Sequence, residues 1–506
     1  MSRSYADSDL GFSVQWSGAL KLLLSEFAPA ALTAVNGSVV HIETLGAADY
    51  SLSASARFCN QYLKMKNGDI AIVNDPSSGG SSLNEVCLVK AISLSNSSAQ
   101  DRSSDFLISL RFTLGGTGDL ASPFHSLRIP PTPLAIRNQI NKEILTAICS
   151  HPGASFLLFD KVTEQIAKLN AFEEQILRMK TLPSMSFSSD QLDLYFDSTK
   201  KSLLSWISKN LSNGEFHFQH KLSSGELIKL RIECKENENI LFDFIGTTNS
   251  ETFQLTEFMS FAACFASLVS LSNFEIPANQ GSFSALQLRT PQNSMLNAKQ
   301  IKNTYIATRV HLKELCGFLR SSLLKLSRSG KNHAADAEGI GPCSISFGPK
   351  CIWDFDLPGG QGGSSEREGA KVFSLWANDL FTGPTLTNAF SIEKTEKHFP
   401  VQFKSVSNHN HQLGKGIHKG GSGVHIGFSI LADAELNILA SEINSRAHGQ
   451  SGGKAGEKSE ITIELGELKT EITKDHKQKL SPKTILRLTS GGGGGWGEEK
   501  TEEDDY

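Results

Sequence analysis

The chain has 506 residues, with 49 Lys and Arg against 53 Asp and Glu, a net charge of −4. At roughly 100–200 residues per domain, that length allows two to four domains with full cores. The balanced charge argues against a nucleic-acid binder, which would show a basic stripe, and the longest apolar run, Phe258 to Leu271, falls short of the about 20 residues a membrane span needs.

The first segment, MSRSYADSDLGFSVQWSG, has no apolar stretch of signal-peptide type. The eight cysteines are scattered without a CxxC pair. Together these predict a cytoplasmic protein with reduced, mostly buried thiols.

In chain order, residues 17–27, 37–45, 68–76, 84–94 and 105–114 read as strands or short buried segments between turn signals. From Asn138 to Leu182 the apolar spacing becomes helical. Val162, Ile166, Leu169, Phe172, Ile176 and Leu177 share one face of an amphipathic helix. Residues 188–211 form a second helix, opened by a Ser188–Ser189–Asp190 cap and closed at Asn213–Gly214. The next thirty or so residues alternate around SSG and NEN turns and predict a small antiparallel sheet. A buried helix follows at 251–271 and an amphipathic one at 300–327, striped by Val310, Leu312, Leu315, Leu319, Leu323 and Leu324.

After about residue 340, glycine-rich runs punctuate short strands at 357–363, 414–423, 448–456 and 490–497. The expected fold class is α+β, mixed and multi-domain, β-rich with a central helical region and a glycine-punctuated β-rich C-terminal part. The division expected is 1–135, an N-terminal region carrying the NDP-GG loop; 136–340, helices and a small sheet; 341–497, the glycine-loop region; and 498–506, an acidic tail.

Glycine clusters raise the question of phosphate loops. Gly449 to Lys454 is one residue short of a Walker A loop, and Ala455 stands where Ser or Thr is required. Gly414–Lys415–Gly416 has its third glycine one place late for a dinucleotide fingerprint. Gly449 to Gly453 fits G-x-S-x-G around Ser451, but Lys454–Ala455–Gly456 is a poor helix start for a nucleophile elbow. These runs are therefore read as tight turns. His409, His411, His418 and His425 are crowded in sequence without a nearby carboxylate or Cys to complete a metal site, and are read as a solvated loop. The polar loop Asn74–Asp75–Pro76–Ser77–Ser78–Gly79–Gly80 follows a strand, where catalytic groups or a plain Asx turn are both expected.

Taken together, ordered segments across nearly the whole chain resemble the hydantoinase B/oxoprolinase family. GDIAIVNDPSSGGSSLNEVCLV (68–89) is similar to the family's GDVVILNDPYRGGTHLPDVTLV, and LRIPPTPL (127–134) to its LRIPPVKL. EIPANQGSFSALQLRTPQNSMLNA (275–298) is the most specific stretch. Asn388, Glu393, Glu396 and Pro400 match family positions, and TSGGGGGWGE (489–498) closes the chain as TPGGGGYGDP does.

The resemblance implies a B-type subunit that works with a hydantoinase A-like partner of actin-like ATPase fold, in an oligomeric complex. ATP bound by the partner would activate a cyclic amide, of 5-oxoproline or hydantoin type, for hydrolysis. The alternative is a non-catalytic scaffold or regulatory paralogue. The family's divalent metal draws on an N-terminal Asp, on the His and Asp of GGTHLPD, and on a His of AHHAD. Here Gly11, Ser82, Glu85 and the run Ser109–Leu110–Arg111–Phe112–Thr113 stand in those places, so no metal ligand is assigned and the metal is expected to be lost. Asn74, Asp75 and Glu85 remain as candidate catalytic groups. Gly79, Gly80 and Arg111 are candidate substrate-binding residues. The chain is also expected to start later than its relatives.

Overall fold

The computed structural model describes residues 16–44, 47–83, 85–94, 103–113, 127–152, 154, 158–180, 187–222, 225–272, 276–328, 333–337, 339–348, 351–370, 392–409, 413–439 and 446–498. Two compact units divide the chain: Met1–Leu114 with Pro123–Arg320, and Gly115–Ser122 with Ser321–Tyr506.

The first unit is built on a seven-stranded sheet of β1 (Ala30–Ala34), β2 (Val39–Glu43), β3 (Ile70–Val73), β4 (Glu85–Ile92), β5 (Phe106–Thr113), β6 (Thr132–Ile136) and β7 (Gln139–Ile140). Its order is β2-β1-β5-β4-β3-β6-β7, with antiparallel neighbours throughout. The two faces differ in character. Leu32, Ile72, Val86, Leu88, Ile108 and Leu110 point into a large core with the helices at residues 16–25, Leu158–Lys180 and Ser189–Asn210. The other face carries smaller or polar side chains, among them Ala31, Cys87, Ser109 and Arg111, and packs under the helix Leu52–Leu63. A sheet covered on both faces explains the near-continuous apolar run of β4.

Residues 16–25 are a helix, not the strand or short segment expected from their apolar run. Trp16, Leu20, Leu23 and Leu24 are all buried, a spacing of three and four that fits a helix. Leu177 is 40% exposed and leaves the stripe predicted for the Leu158–Lys180 helix. Ser188 caps the next helix by accepting from Gln191 N, as its sequence predicts.

The small sheet runs β11-β10-β9-β8, from β8 (Gly214–Lys221), β9 (Leu227–Cys234), β10 (Ile240–Asp243) and β11 (Leu286–Arg289). Three strands are antiparallel, and β11 adds a parallel edge. Beside it lie the buried helix Glu257–Ser270 and the segment 304–325, which contains a π turn at Ala307–His311.

In the second unit, two sheets share one core. One is β13-β12-β16-β19, from β12 (Ile340–Ser346), β13 (Ile352–Leu357), β16 (Ala434–Ile438) and β19 (His476–Leu480). The other is β14-β15-β20-β17-β18, from β14 (Val401–His409), β15 (Gly423–Ile430), β17 (Glu460–Leu465), β18 (Leu468–Ile472) and β20 (Ile485–Thr489). Trp353, Phe355, Ile426, Phe428, Leu436 and Leu488 interdigitate between them.

The glycine runs are not chiefly tight turns. Among those described, only Gly452 and Gly497 take the left-handed backbone. The runs lie side by side as extended segments. Along 492–496, successive amides donate to Glu457, Gly421, Ala335, Lys454 and His418 carbonyls. The direction therefore cycles through three neighbouring segments, as a helix with three residues per turn requires. Glycine is needed for closeness: a Cβ on Gly493 would stand 2.1 Å from the Gln361 carbonyl oxygen, and one on Gly494 2.1 Å from that of His448.

Candidate functional site

The loop between β3 and β4 is set by its own side chains. Asn74 Nδ2 donates to the carbonyls of Leu83 (2.9 Å) and Leu127 (2.8 Å), and its Oδ1 accepts from Ile129 N at 2.6 Å. The amide is buried and fully used as a latch. Asp75 Oδ1 accepts from Ser77 N, capping the short turn Pro76–Ser78, and pairs with Arg128 Nη1 at 2.8 Å. Gly79 takes a φ of +83°, which favours glycine. Its Cβ would lie 2.5 Å from Ser55 N, and a Cβ on Gly80 would lie 2.3 Å from the Asn74 carbonyl oxygen. The amides of Ser78, Gly79 and Gly80 are all spent on carbonyls within the loop, to Asp75 and Pro76. The loop therefore does not offer them as an anion nest.

Glu85 opens β4 and stands opposite Thr113 of β5. One carboxylate oxygen, Oε2, accepts from Ser81 Oγ. Cys87 stands opposite Arg111 in the same ladder. Because side chains alternate, Glu85, Cys87, Arg111 and Thr113 share one face, and Glu85 and Arg111 are diagonal neighbours.

The Arg111 guanidinium is buried and held on three sides. Nη1 donates to Ala48 O at 2.7 Å and to Asp49 Oδ1 at 3.2 Å, while Nη2 donates to Ser51 Oγ at 3.0 Å. Ser51 Oγ also lies 3.4 Å from the Gly79 carbonyl, tying this cluster to the loop. Arg111 is thus neutralised by Asp49 rather than presented as an open positive charge. Burial pushes the Cys87 thiol up to about 12, against the pull of Arg111, so it is a protonated, unreactive group.

From the helical side, Thr304 Oγ1 accepts from Leu83 N and Thr308 Oγ1 donates to Ser81 O. Thr304 lies just before the π turn and Thr308 within it, a feature that often marks functional sites. His311 closes that turn, stacks on Phe253 with centroids 4.4 Å apart and accepts from Gln254 N at Nδ1. Burial lowers its pKa to about 4, so it is neutral. Asp49, Ser51, Ser81, Thr304, Thr308 and His311 escaped the sequence reading. No local motif marks them, since their partners lie as far as 227 residues away.

The six predicted site residues therefore do come together, around one end of β3, β4 and β5. They make a closed polar cluster in which the Arg111 guanidinium already takes the oxygens of Ala48, Asp49 and Ser51, so the cluster does not suit a divalent metal. Ser82 and Arg111 occupy two of the expected ligand positions, and arginine has no lone pair to give. A divalent ion beside a buried guanidinium would meet strong like-charge repulsion. Among the described residues, no group of three or more His, Cys, Asp or Glu could hold a metal ion. The expected Gly11 position and His411 lie outside the described residues. His418 lies 6.0 Å from Trp496 ring to ring, whereas His425 meets Ser405 and Thr489. Ser451 lies on an exposed turn with no helix after it.

The sequence model for Hydantoinase B/oxoprolinase matches residues 124–499. An uncharacterized protein of Methanocaldococcus jannaschii is 24% identical over 449 residues, covering 85% of this chain and 74% of the relative. The 5-oxoprolinase PfmaA of Pestalotiopsis fici is 22% identical over 479 residues, 88% of this chain but 36% of that protein. The chain thus spans about a third of that enzyme's length. Among solved structures, the ATP-dependent caprolactamase of Pseudomonas jessenii superposes with a TM-score of 0.77 at 15% identity, over 98% of this chain and 90% of that one. Nucleotide-free acetone carboxylase superposes with a TM-score of 0.72 at 10% identity, over 97% and 74%. Both share its mixed α+β fold.

Proposed function

This chain belongs to the Hydantoinase B/oxoprolinase family, and we propose that it is the B-type subunit of an ATP-dependent cyclic-amide hydrolase. The observation that carries this reading is the family match over 124–499 combined with a caprolactamase-like fold over 98% of the chain. The absence of a Walker A or dinucleotide pattern from its sequence agrees with ATP binding by a hydantoinase A-like partner.

In this proposal the partner activates the ring carbonyl of a 5-oxoproline- or hydantoin-type substrate at the expense of ATP. Glu85 then takes a proton from the attacking water, general base catalysis by a placed carboxylate. Ser81 holds one Glu85 oxygen. Asn74 and Asp75 fix the loop that carries Ser81, and Gly79 and Gly80 let that loop pack tightly. Arg111 acts through its bonds to Asp49 and Ser51 rather than by an open charge.

A second reading has one observation in its favour. Asn74, Asp75 and Arg111 are all engaged by protein partners, as in a scaffold. The two readings separate when the chain is purified with its A-type partner and tested for ATP-dependent opening of 5-oxoproline, hydantoin and caprolactam. Turnover lost in Glu85→Gln supports the enzyme. Complex formation with no turnover of any of the three supports the scaffold. No described helix is long and apolar enough to cross a membrane. In this proposal the complex works in the cytoplasm.

A further inference from the structure

We propose that the guanidinium of Arg111 is the resident cation of this chain's polar cluster, standing where related chains are expected to hold a divalent metal. The claim goes beyond the proposed activity and does not depend on any substrate.

Three observations carry it. First, position: the sequence resemblance sets Arg111 at a histidine of AHHAD and Glu85 at the aspartate of GGTHLPD, and the β4–β5 ladder puts the two on the same sheet face. Second, acceptors: the guanidinium donates to three oxygens, Ala48 O, Asp49 Oδ1 and Ser51 Oγ. A carbonyl, a carboxylate and a hydroxyl are the ligand types a hard cation would take. Third, charge: Arg111 and Asp49 are both buried, their side chains 3% and 9% exposed. A guanidinium does not deprotonate in proteins, so its charge and the Asp49 carboxylate are fixed partners. A divalent ion added to this cluster would have to displace that pairing.

The arrangement also gives Arg111 the tethering work of a bound ion. It joins β5 to the turn at Ala47–Ser51 and, through Ser51 Oγ, to the Gly79 carbonyl of the loop. Three segments distant in sequence are fixed through one cationic group. Lysine would be a poor substitute, because a point charge does not reproduce three bonds in a planar fork.

Two measurements on the full-length chain test this. Protein expressed with Mg²⁺, Mn²⁺ and Zn²⁺ supplied is dialysed and its metal content determined. The expected result is well below one equivalent of any metal, with no change of melting temperature in millimolar divalent salt. Arg111→Ala should melt lower, and low-millimolar methylguanidinium should raise its melting temperature saturably, while tetramethylammonium at the same ionic strength should not. About one equivalent of a divalent metal in the wild-type chain, lost in Glu85→Gln, would overturn the proposal. So would an Arg111→Ala protein indifferent to methylguanidinium. If Arg111→Ala does not fold, Arg111→Ser replaces it in the same rescue assay, and the wild-type metal content decides the matter independently.

Discussion

Arg111 Nη1 and Asp49 Oδ1 lie 3.2 Å apart with side chains 3% and 9% exposed, an ion pair sealed between the central sheet and the turn that precedes the Leu52–Leu63 helix. Removing charges from water is costly, and the pair offsets that cost only while both members are present. Its geometry organises both the site and the first set of expectations.

Breaking the pair from one side should be far worse than removing it whole. Asp49→Asn or Arg111→Met alone should each lower unfolding free energy by about 3–5 kcal/mol, because the survivor stays buried and uncompensated. The double variant should recover at least ~1 kcal/mol relative to additivity. Urea denaturation of the four proteins measures this, and strictly additive losses would contradict the buried-pair account.

Glycine substitutions should divide by crowding. Gly79→Ala forces a left-handed backbone and a contact with Ser55 N, and Gly493→Ala drives a methyl into the Gln361 carbonyl. Each should cost about 1–3 kcal/mol or more. Gly18 is exposed on the helix at residues 16–25 with nothing within 4 Å of a Cβ. Gly18→Ala should therefore stabilise by roughly 0.5–1 kcal/mol. Thermal melts rank the three, and equal effects would refute the packing argument.

Thiol accessibility is expected to be sharply split. Cys59, Cys87, Cys234, Cys264, Cys316 and Cys343 are buried, while Cys149 and Cys351 are partly open. In native protein at pH 8, iodoacetamide should label Cys149 and Cys351 first, since buried thiols are withheld both from reagent and from ionisation. Peptide mass spectrometry reads the order. Early labelling of Cys87 would show that the sheet face beside Arg111 is open.

His311 should make the fold acid-sensitive. Its pKa is lowered to about 4 by burial, below the ordinary value near 6.5. The unfolded chain therefore takes up the proton first as pH falls. The stability that His311 contributes is full above about pH 6.5 and declines down to about pH 4, by about 3 kcal/mol in all. Replacing it with Asn, which also has an acceptor for Gln254 N, should flatten the stability curve over that window. An unchanged slope would place the acid sensitivity elsewhere.

Much of this was legible in the residues, for identifiable reasons. The Ser189–Asn210 helix announced itself because Ser188 both ends the preceding segment and caps the helix. The NDP-GG loop was visible because Gly79 and Gly80 answer a steric demand that no other residue meets. What escaped was non-local. β11 joins β10 as a parallel edge from more than forty residues downstream, and Asp49 meets Arg111 across a separation of 62 residues. The 16–25 helix was missed because a run of leucines obscures its period. The glycine runs read as turns in sequence because extended packing of backbone on backbone leaves the same composition. Glu85, Arg111 and the loop were found together by resemblance, but only the ladder register placed them on one face.

The central claim is that this chain completes ATP-dependent opening of a cyclic amide. The most direct measurement is mass-spectrometric detection of ring-opened product from 5-oxoproline, hydantoin or caprolactam, using this chain with its A-type partner. The account predicts product that requires both chains and ATP and that falls by about 10²-fold or more in Glu85→Gln, the usual range for a general base. Product formed equally well without this chain, or undiminished in Glu85→Gln, would contradict it.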